Sequence, residues 1–413
     1  MNAILRKLRR LRSYWFEAPW CVPPWGWREF RITAGCLLKG AVARGPAPER
    51  FASTVKGLLG RRFAIPVGRG RDALWLALRA LEVQADDEIV LPSYICPSVL
   101  EAVLVSGARP VFADVDESLH VTVKSIEAVL SPKTRCVIVP HLFGNCAPIE
   151  EIEPMLRRRG IPLIDDAAQS FGARRAGRWT ASFGEFGVVC GGPGKPLAVP
   201  YGAILVMDDE ALYRAATRIP LPAENASAVF RRVLAFWFWR RFRRYTVVLE
   251  KIADHFFGDS TADLTAHTLS NLEAALLCEQ VRRLERHRDL RQEAARRLLG
   301  MLAPLGWRNL SDLGPDAMTV KLILLLPESG PCMADILEAF AQAGIECQAG
   351  YAPCHHKAKS PASVPVTESI WERVLCVPVD TPLGDIRRFE RLVGRWPLQP
   401  AMISHDASHA HSR

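Results

Sequence analysis

The sequence predicts an α/β fold built on a mainly parallel sheet, and two observations carry that prediction. Seven short apolar runs recur between residues 64 and 206, and stretches with helical periodicity separate several of them. Repeated strand–helix–strand units of this kind give a mainly parallel sheet covered by helices on both faces. The chain has 413 residues, too many for one small core, and suits a large domain joined to a smaller one.

Residues 1 to 45 read as an extension with its own segment, Pro23-Pro24-Trp25. Arg6, Lys7, Arg9, Arg10 and Arg12 crowd its start, while Ile4, Leu8, Leu11 and Trp15 share one helical face. Such a basic amphipathic helix suits an anionic membrane surface. An arm packed on a partner subunit explains it equally well, and both readings stay open. Residues 46–258 form the large domain, with strands expected at 64–67, 88–91, 110–113, 136–139, 161–164, 187–189 and 203–206. Helices are expected at 72–81 and 149–159. From about 225 the chain turns rich in Arg and aromatics, and Phe230 to Tyr245 reads as a surface buried on a partner. In 259–399 one long helix is expected over 270–302, then a strand at 320–326 and a helix at 334–343, a smaller α+β domain. Residues 400–413 read as a disordered tail.

Composition excludes several classes. Apolar residues make 49% and charged residues 23%, both ordinary for a globular chain. No run approaches the roughly 18 apolar residues of a membrane span, and no apolar core follows the basic start, which argues against a secretory signal. Eleven scattered cysteines, an odd number without a Cys-x-x-Cys pair, fit a reducing compartment and a cytoplasmic location, membrane-peripheral if the basic start meets lipid. Cys354-His355-His356 is the only local group of soft ligands, and adjacent residues seldom point at one ion, so no metal site is expected. The +9 charge supports no recognisable nucleic-acid module.

The chemistry concentrates at two places. Asp165-Asp166-Ala167-Ala168-Gln169 ends the 161–164 run, so Asp166 emerges at a strand's carboxyl end, where α/β sheets bind ligands. About thirty residues on, Lys195 closes the turn Gly191-Gly192-Pro193-Gly194-Lys195. A carboxylate can hold a cationic ring nitrogen, and a desolvated lysine can form a Schiff base with an aldehyde. A pyridoxal phosphate enzyme requires both. The turn is not a nucleotide-phosphate loop, since Val189 stands where the first Gly is needed and Pro196 where Ser or Thr must follow the Lys. Gly68-Arg69-Gly70-Arg71-Asp72-Ala73 opens a helix and mimics a dinucleotide fingerprint weakly; its helix N-terminus suits any phosphate.

From Gly70 to Gly202 the text resembles the DegT/DnrJ/EryC1/StrS family of sugar aminotransferases, of fold type I. The resemblance rests on Arg69-Gly70-Arg71-Asp72-Ala73-Leu74, Leu91-Pro92-Ser93-Tyr94 and Gly107 to Val115. His141-Leu142-Phe143-Gly144, Asp165 to Ala173 and Ser182-Phe183-Gly184-Glu185 continue it in order. It extends more weakly through 269–276 and 351–353 and does not cover the first 45 residues. It implies a pyridoxal phosphate aminotransferase moving an amino group from glutamate to a keto-sugar, nucleotide-linked, in polysaccharide or secondary-metabolite biosynthesis, and a homodimer.

By position, Lys195 would carry the cofactor and shuttle the proton, and Asp166 would pair with the ring nitrogen and stay ionised beside that cation. Gln169 would lie beside the ring hydroxyl, and Gly70 with Arg71 would hold the phosphate. Departures are Arg71 in place of Ser or Thr, Cys190 in place of a phosphate-binding Ser, and Cys96, with Tyr94 nearby, in place of a stacking aromatic. The glycine-rich turn after Lys195 is also shortened. His141, Tyr351 and His355 are the candidates to face substrate. Two other readings stay open: a sugar dehydratase, whose members carry His at the lysine position, and a degenerate relative that only binds cofactor or sugar.

Overall fold

The computed structural model describes residues 20–21, 24–238, 266–342 and 344–380. The basic start at 1–19, the aromatic stretch beyond 238 and the tail at 400–413 lie outside the described residues.

Seven strands form the main sheet: β1 (Phe63–Val67), β2 (Glu88–Pro92), β3 (Arg109–Ala113), β4 (Thr134–Pro140), β5 (Leu163–Asp166), β8 (Phe186–Cys190) and β9 (Ala203–Met207). A two-stranded ribbon, β6 (Arg174–Arg175) with β7 (Arg178–Trp179), interrupts the series. The order is β1-β9-β8-β5-β4-β2-β3. Every pairing from β8 across to β3 is parallel, and β9 alone runs against its neighbours β8 and β1. The expected sheet class is therefore the observed one.

One boundary moves with consequence. The run at 161–164 predicts a strand there, whereas β5 begins at Leu163 and includes both aspartates. Pro162 has no N–H to donate and joins the ladder only by accepting the Val137 N–H at 3.0 Å, so two-sided pairing starts at Leu163. Alternation along the strand then decides which core each side chain meets. Val137, Val139 and Leu163 enter one cluster of buried residues; Ile138, Ile164, Phe186, Val188 and Cys190 enter the other.

The helix expected over 270–302 is two helices, Asn271–Arg282 and Leu284–Leu302. Ser270 caps the first by accepting the Glu273 N–H on Oγ. Arg283 breaks the run at φ −112° and ψ 11°, and its guanidinium pairs with Glu29 and Glu279. A hydrophobic period does not register a single non-helical residue. The second helix packs Leu298 and Leu302 on the smaller domain with Phe340 of the helix Met333–Gln342. That domain's sheet, β10 (Arg308–Asn309), β11 (Lys321–Leu325), β12 (Gln348–Ala349) and β13 (Val374–Pro378), is antiparallel throughout, in the order β10-β11-β13-β12.

The described part of the segment before residue 46, residues 20–21 and 24–45, is built into the body. Trp25 is buried, and its indole N–H donates to the Ala198 carbonyl at 2.6 Å. The helices Trp27–Leu38 and Ala47–Leu59 lie on the helix Asn271–Arg282. Asn271 ties them by accepting the Ala47 N–H and donating to the Ala41 carbonyl.

Two buried imidazoles couple this fold to pH. Burial, reinforced by His141, pushes His120 down to about 4. Burial, with Arg291, Arg283 and Arg286 nearby, does the same to His287. Both are neutral in the folded chain, while the unfolded chain takes up protons near the ordinary value of 6.5. Depressed histidines contribute stability above that value and lose it as pH falls toward about 4. We expect the urea midpoint to fall across this window, and to fall less in His120→Asn, in denaturation curves at stepped pH.

Candidate active site

The carboxyl ends of β4, β5 and β8 open into a cleft of about 800 Å³. Asp166 and Val188 are register partners, and Cys190 lies two residues beyond Val188 on the same face. Asp166, Cys190 and Lys195 therefore share one wall, with Gly70 and Arg71 at the start of the helix Gly70–Ala80. The smaller domain supplies Lys321 and Gln348 from β11 and β12, and Tyr351 just beyond.

Lys195 is held by both its backbone and its amine. Its N–H donates back to the Gly192 carbonyl at 3.3 Å, with Gly194 left-handed at φ +66° between them. A β-carbon at residue 194 would stand 2.4 Å from the Trp20 ring, and the Gly194 N–H reaches Cys21 Sγ at 2.9 Å. On the other side Arg291 Nη2 donates to the Lys195 carbonyl at 3.0 Å, while its Nε pairs with Asp380 at 2.6 Å. Inside the cleft, Nζ donates to Cys190 Sγ at 2.8 Å.

Burial opposes the Lys195 ammonium, but the sulfur of Cys190, with Cys96 and Asp166, outweighs it and raises the pKa. Burial pushes the Cys190 thiol up as well, against the pull of Lys195. Asp166 accepts the Ala168 N–H at 3.0 Å. Its carboxyl is raised, because burial exceeds the opposing effects of that N–H, Lys195 and His141.

The residues fit pyridoxal phosphate. The helix at Gly70 is capped by Arg69, which has no side-chain acceptor and makes no capping bond, so its first amide groups suit an outside anion. A β-carbon at Gly70 would lie 2.8 Å from Cys190 Sγ, so glycine keeps this approach open. Arg71 reaches Glu101 at 3.4 Å, while its buried Nε makes no hydrogen bond among the described residues. Arg71 lines the cleft, and a phosphate oxygen would satisfy that orphaned donor if the side chain turned toward it.

Other sequence candidates divide. Gln169 lines the cleft, accepting the Phe143 N–H at 3.0 Å and donating to the Tyr351 hydroxyl at 2.9 Å. Tyr351 stacks on Phe143, with ring centroids 5.5 Å apart. Cys96 lines the cleft and contacts Ser98 Oγ at 3.2 Å. His141 lines it too, but Nε2 meets Asp165 at 2.9 Å and Nδ1 accepts the Ala147 N–H at 2.9 Å. Both nitrogens are engaged, so it offers a ring face and no free donor.

Tyr94 and His355 do not line the cleft. Tyr94 is fully buried, its hydroxyl accepting the Tyr351 N–H at 3.2 Å beneath Gly350. His355 faces Ser93 and Glu368 instead. Unforeseen from sequence were Trp20, Arg69, Tyr201, Lys321 and Gln348. A lone Lys in the apolar run 319–326 was a usable signal; Trp20 offered none.

A half-buried lysine and a buried carboxylate converging at the carboxyl edge of a parallel sheet define a candidate cofactor enzyme of the α/β class. The family model for the DegT/DnrJ/EryC1/StrS aminotransferase family matches residues 28–387, and the chain belongs to that family.

Over 162 residues it is 39% identical to a UDP-N-acetyl-3-dehydro-alpha-D-glucosamine 3-aminotransferase of Acidithiobacillus ferrooxidans, covering 39% of this chain and 44% of that protein. Over 186 residues it is 32% identical to a UDP-2-acetamido-2-deoxy-3-oxo-D-glucuronate aminotransferase of Pseudomonas aeruginosa, covering 44% and 52%. The matches thus span about half of each relative's length. Among solved structures, the aminotransferase TlmJ of Streptoalloteichus hindustanus superposes with a TM-score of 0.73 at 24% identity, covering 91% of this chain and 97% of that one. Helicobacter pylori PseC gives 0.74 at 16%, covering 91% and 98%. These two likenesses establish the fold.

The clamp on the lysine turn is testable. Arg291→Met leaves the Asp380 carboxylate buried without its cation, and we expect a loss of about 3–5 kcal/mol in denaturant unfolding. Adding Asp380→Leu should recover most of that loss, since an apolar pair can replace a buried ion pair at little cost.

Proposed function

We propose that this chain is a pyridoxal phosphate-dependent aminotransferase that transfers an amino group from an amino acid, glutamate in our reading, to the keto group of a nucleotide-linked sugar. The observation that carries the proposal is the convergence of Lys195, Asp166 and the Gly70–Arg71 helix start on one cleft. When bound, pyridoxal phosphate supplies an aldehyde that takes up the amino group and a conjugated ring that accepts the electrons released at the substrate carbon. Lys195 Nζ would take the proton from that carbon and deliver it to the carbon of the cofactor's aldehyde group, and its turn is clamped so that the amine stays in place. Asp166 holds the proton on the ring nitrogen, and burial strengthens that pairing. Gln169 and Tyr351 form one hydrogen-bonded wall, and His141, fixed by Asp165, offers a flat face.

Arg69, Arg71 and Lys321 add three cations to the cleft beyond Lys195. Arg69 faces Asp72 at 3.7 Å and Arg71 faces Glu101 at 3.4 Å, so it is Lys321, held on Gln348, that supports a substrate with a further anionic group such as a diphosphate. Both curated relatives are named for UDP-linked 3-oxo sugars, which favours that substrate class here. Lys195 favours transamination over dehydration, and the orphaned Arg71 Nε favours a cofactor-binding site over a degenerate one.

A homodimer fits the surface: Trp27, Phe30, Leu234 and Phe238 are exposed, Trp27 stacks on Phe30 at 5.1 Å, and Phe30 meets Trp237 edge-on.

Two measurements test this reading. Purified protein with added cofactor should show a visible band of the lysine-bound form that borohydride bleaches. Lys195→Ala should lack it and lose roughly 100-fold or more in transfer of labelled nitrogen from glutamate to a UDP-3-oxo sugar. Absence of the band at saturating cofactor would sink the proposal. In sedimentation velocity, Phe30→Glu should shift the dimer toward monomer; an unchanged profile would exclude this face as the interface.

A further inference from the structure

Outside the cleft, three ligand-type side chains converge at the surface. His355 Nε2 and His356 Nε2 approach the same Glu368 oxygen, Oε1, at 2.8 and 2.7 Å. The three ligand atoms lie within 4.8 Å of one another. None of the three residues lines the cleft. Adjacent histidines were expected to diverge, but here both rings tilt together, with centroids 4.4 Å apart, and the third group arrives from twelve residues further on.

We propose that His355, His356 and Glu368 form a binding site for a divalent transition metal, zinc being the ion this donor set suits best. Two imidazoles and a carboxylate with an open fourth position are a zinc donor set. Both halves of the site are held from behind. His355 Nδ1 lies 2.6 Å from Ser93 Oγ, the kind of outer contact that orients a metal-binding imidazole. When that nitrogen donates to Ser93, the Nε2 lone pair faces the carboxylate, and a cation between them satisfies both. Glu368 rides on the helix Pro365–Ile370, which Asp114 anchors by accepting the Val366 and Thr367 N–H groups and the Thr367 hydroxyl.

The adjustment required is small. Bonds of about 2.0–2.2 Å in a tetrahedral site set ligand atoms about 3.3 Å apart, so each N···O contact must open by about half an ångström. His356 and Glu368 are both exposed and can make that movement. A bound ion would tie together the chain after β2, the helix Cys354–Ala358 and the helix Pro365–Ile370, just beyond Tyr351.

The test titrates full-length protein, stripped with a chelator, with zinc chloride against a chromophoric competitor. His356→Asn and Glu368→Gln serve as variants, since both side chains are exposed and the Asp114 anchor is retained. The wild type should bind one equivalent more than either variant, whose affinity at this site should fall at least about 100-fold. Zinc should also raise the melting temperature of the wild type more than that of the variants. Equal stoichiometry and affinity in wild type and either variant would overturn the proposal and leave a hydrogen-bonded cluster only. The readout needs no cofactor, so it stands apart from the proposed transferase activity.

Discussion

Two adjacent carboxylates end one strand, and alternation sends them to opposite faces of the sheet. Asp165 turns to the side of Leu163, where it meets His141 Nε2 and the Phe183 N–H. Asp166 turns to the side of Ile164 and Cys190, into the cleft. A slip of one residue in the pairing of β5 with β8 would exchange them, placing Asp165 in the cleft and Asp166 in the core. The start of β5 after Pro162 thus sets the polarity of the whole site, and the parallel register with β8 brings Cys190 and the lysine turn to the same face.

Around that register, the site is assembled from separate parts of the chain. The main sheet supplies Asp166 and Cys190, the helix Gly70–Ala80 supplies an anion-binding start, and the smaller domain supplies Lys321, Gln348 and Tyr351. The side chain of Arg291 links two of these parts, touching the Lys195 carbonyl and Asp380 together. Burial of charged groups recurs throughout. It raises Asp166 and Cys190, and it gives electrostatic contacts in the cleft more weight than they would have in water.

Much of this was legible in the sequence, for reasons that differ by residue. Lys195 and Asp166 carry chemistry that few residue types can replace, and each stands at an element boundary that apolar runs reveal. Tyr94 and Tyr351 show the limit. Both are aromatics next to motifs, yet one is buried beneath Gly350 and the other stacks on Phe143 at the cleft, a difference set by packing between domains. The break at Arg283 depends on Glu29, more than 250 residues earlier, and no local pattern encodes such a partner. Glu368 was invisible for the same reason: its meeting with His355 and His356 depends on how Asp114 seats another helix.

The family match begins at residue 28, yet one wall of the cleft begins at Trp20. Trp20 and Cys21 rest on Gly194, and Trp25 donates to Ala198, so the leading segment presses on both sides of the Lys195 turn. A substitution there would change the mould in which the lysine sits without touching a residue inside the matched range. The shape of the cleft therefore depends on a segment that lies outside the matched range.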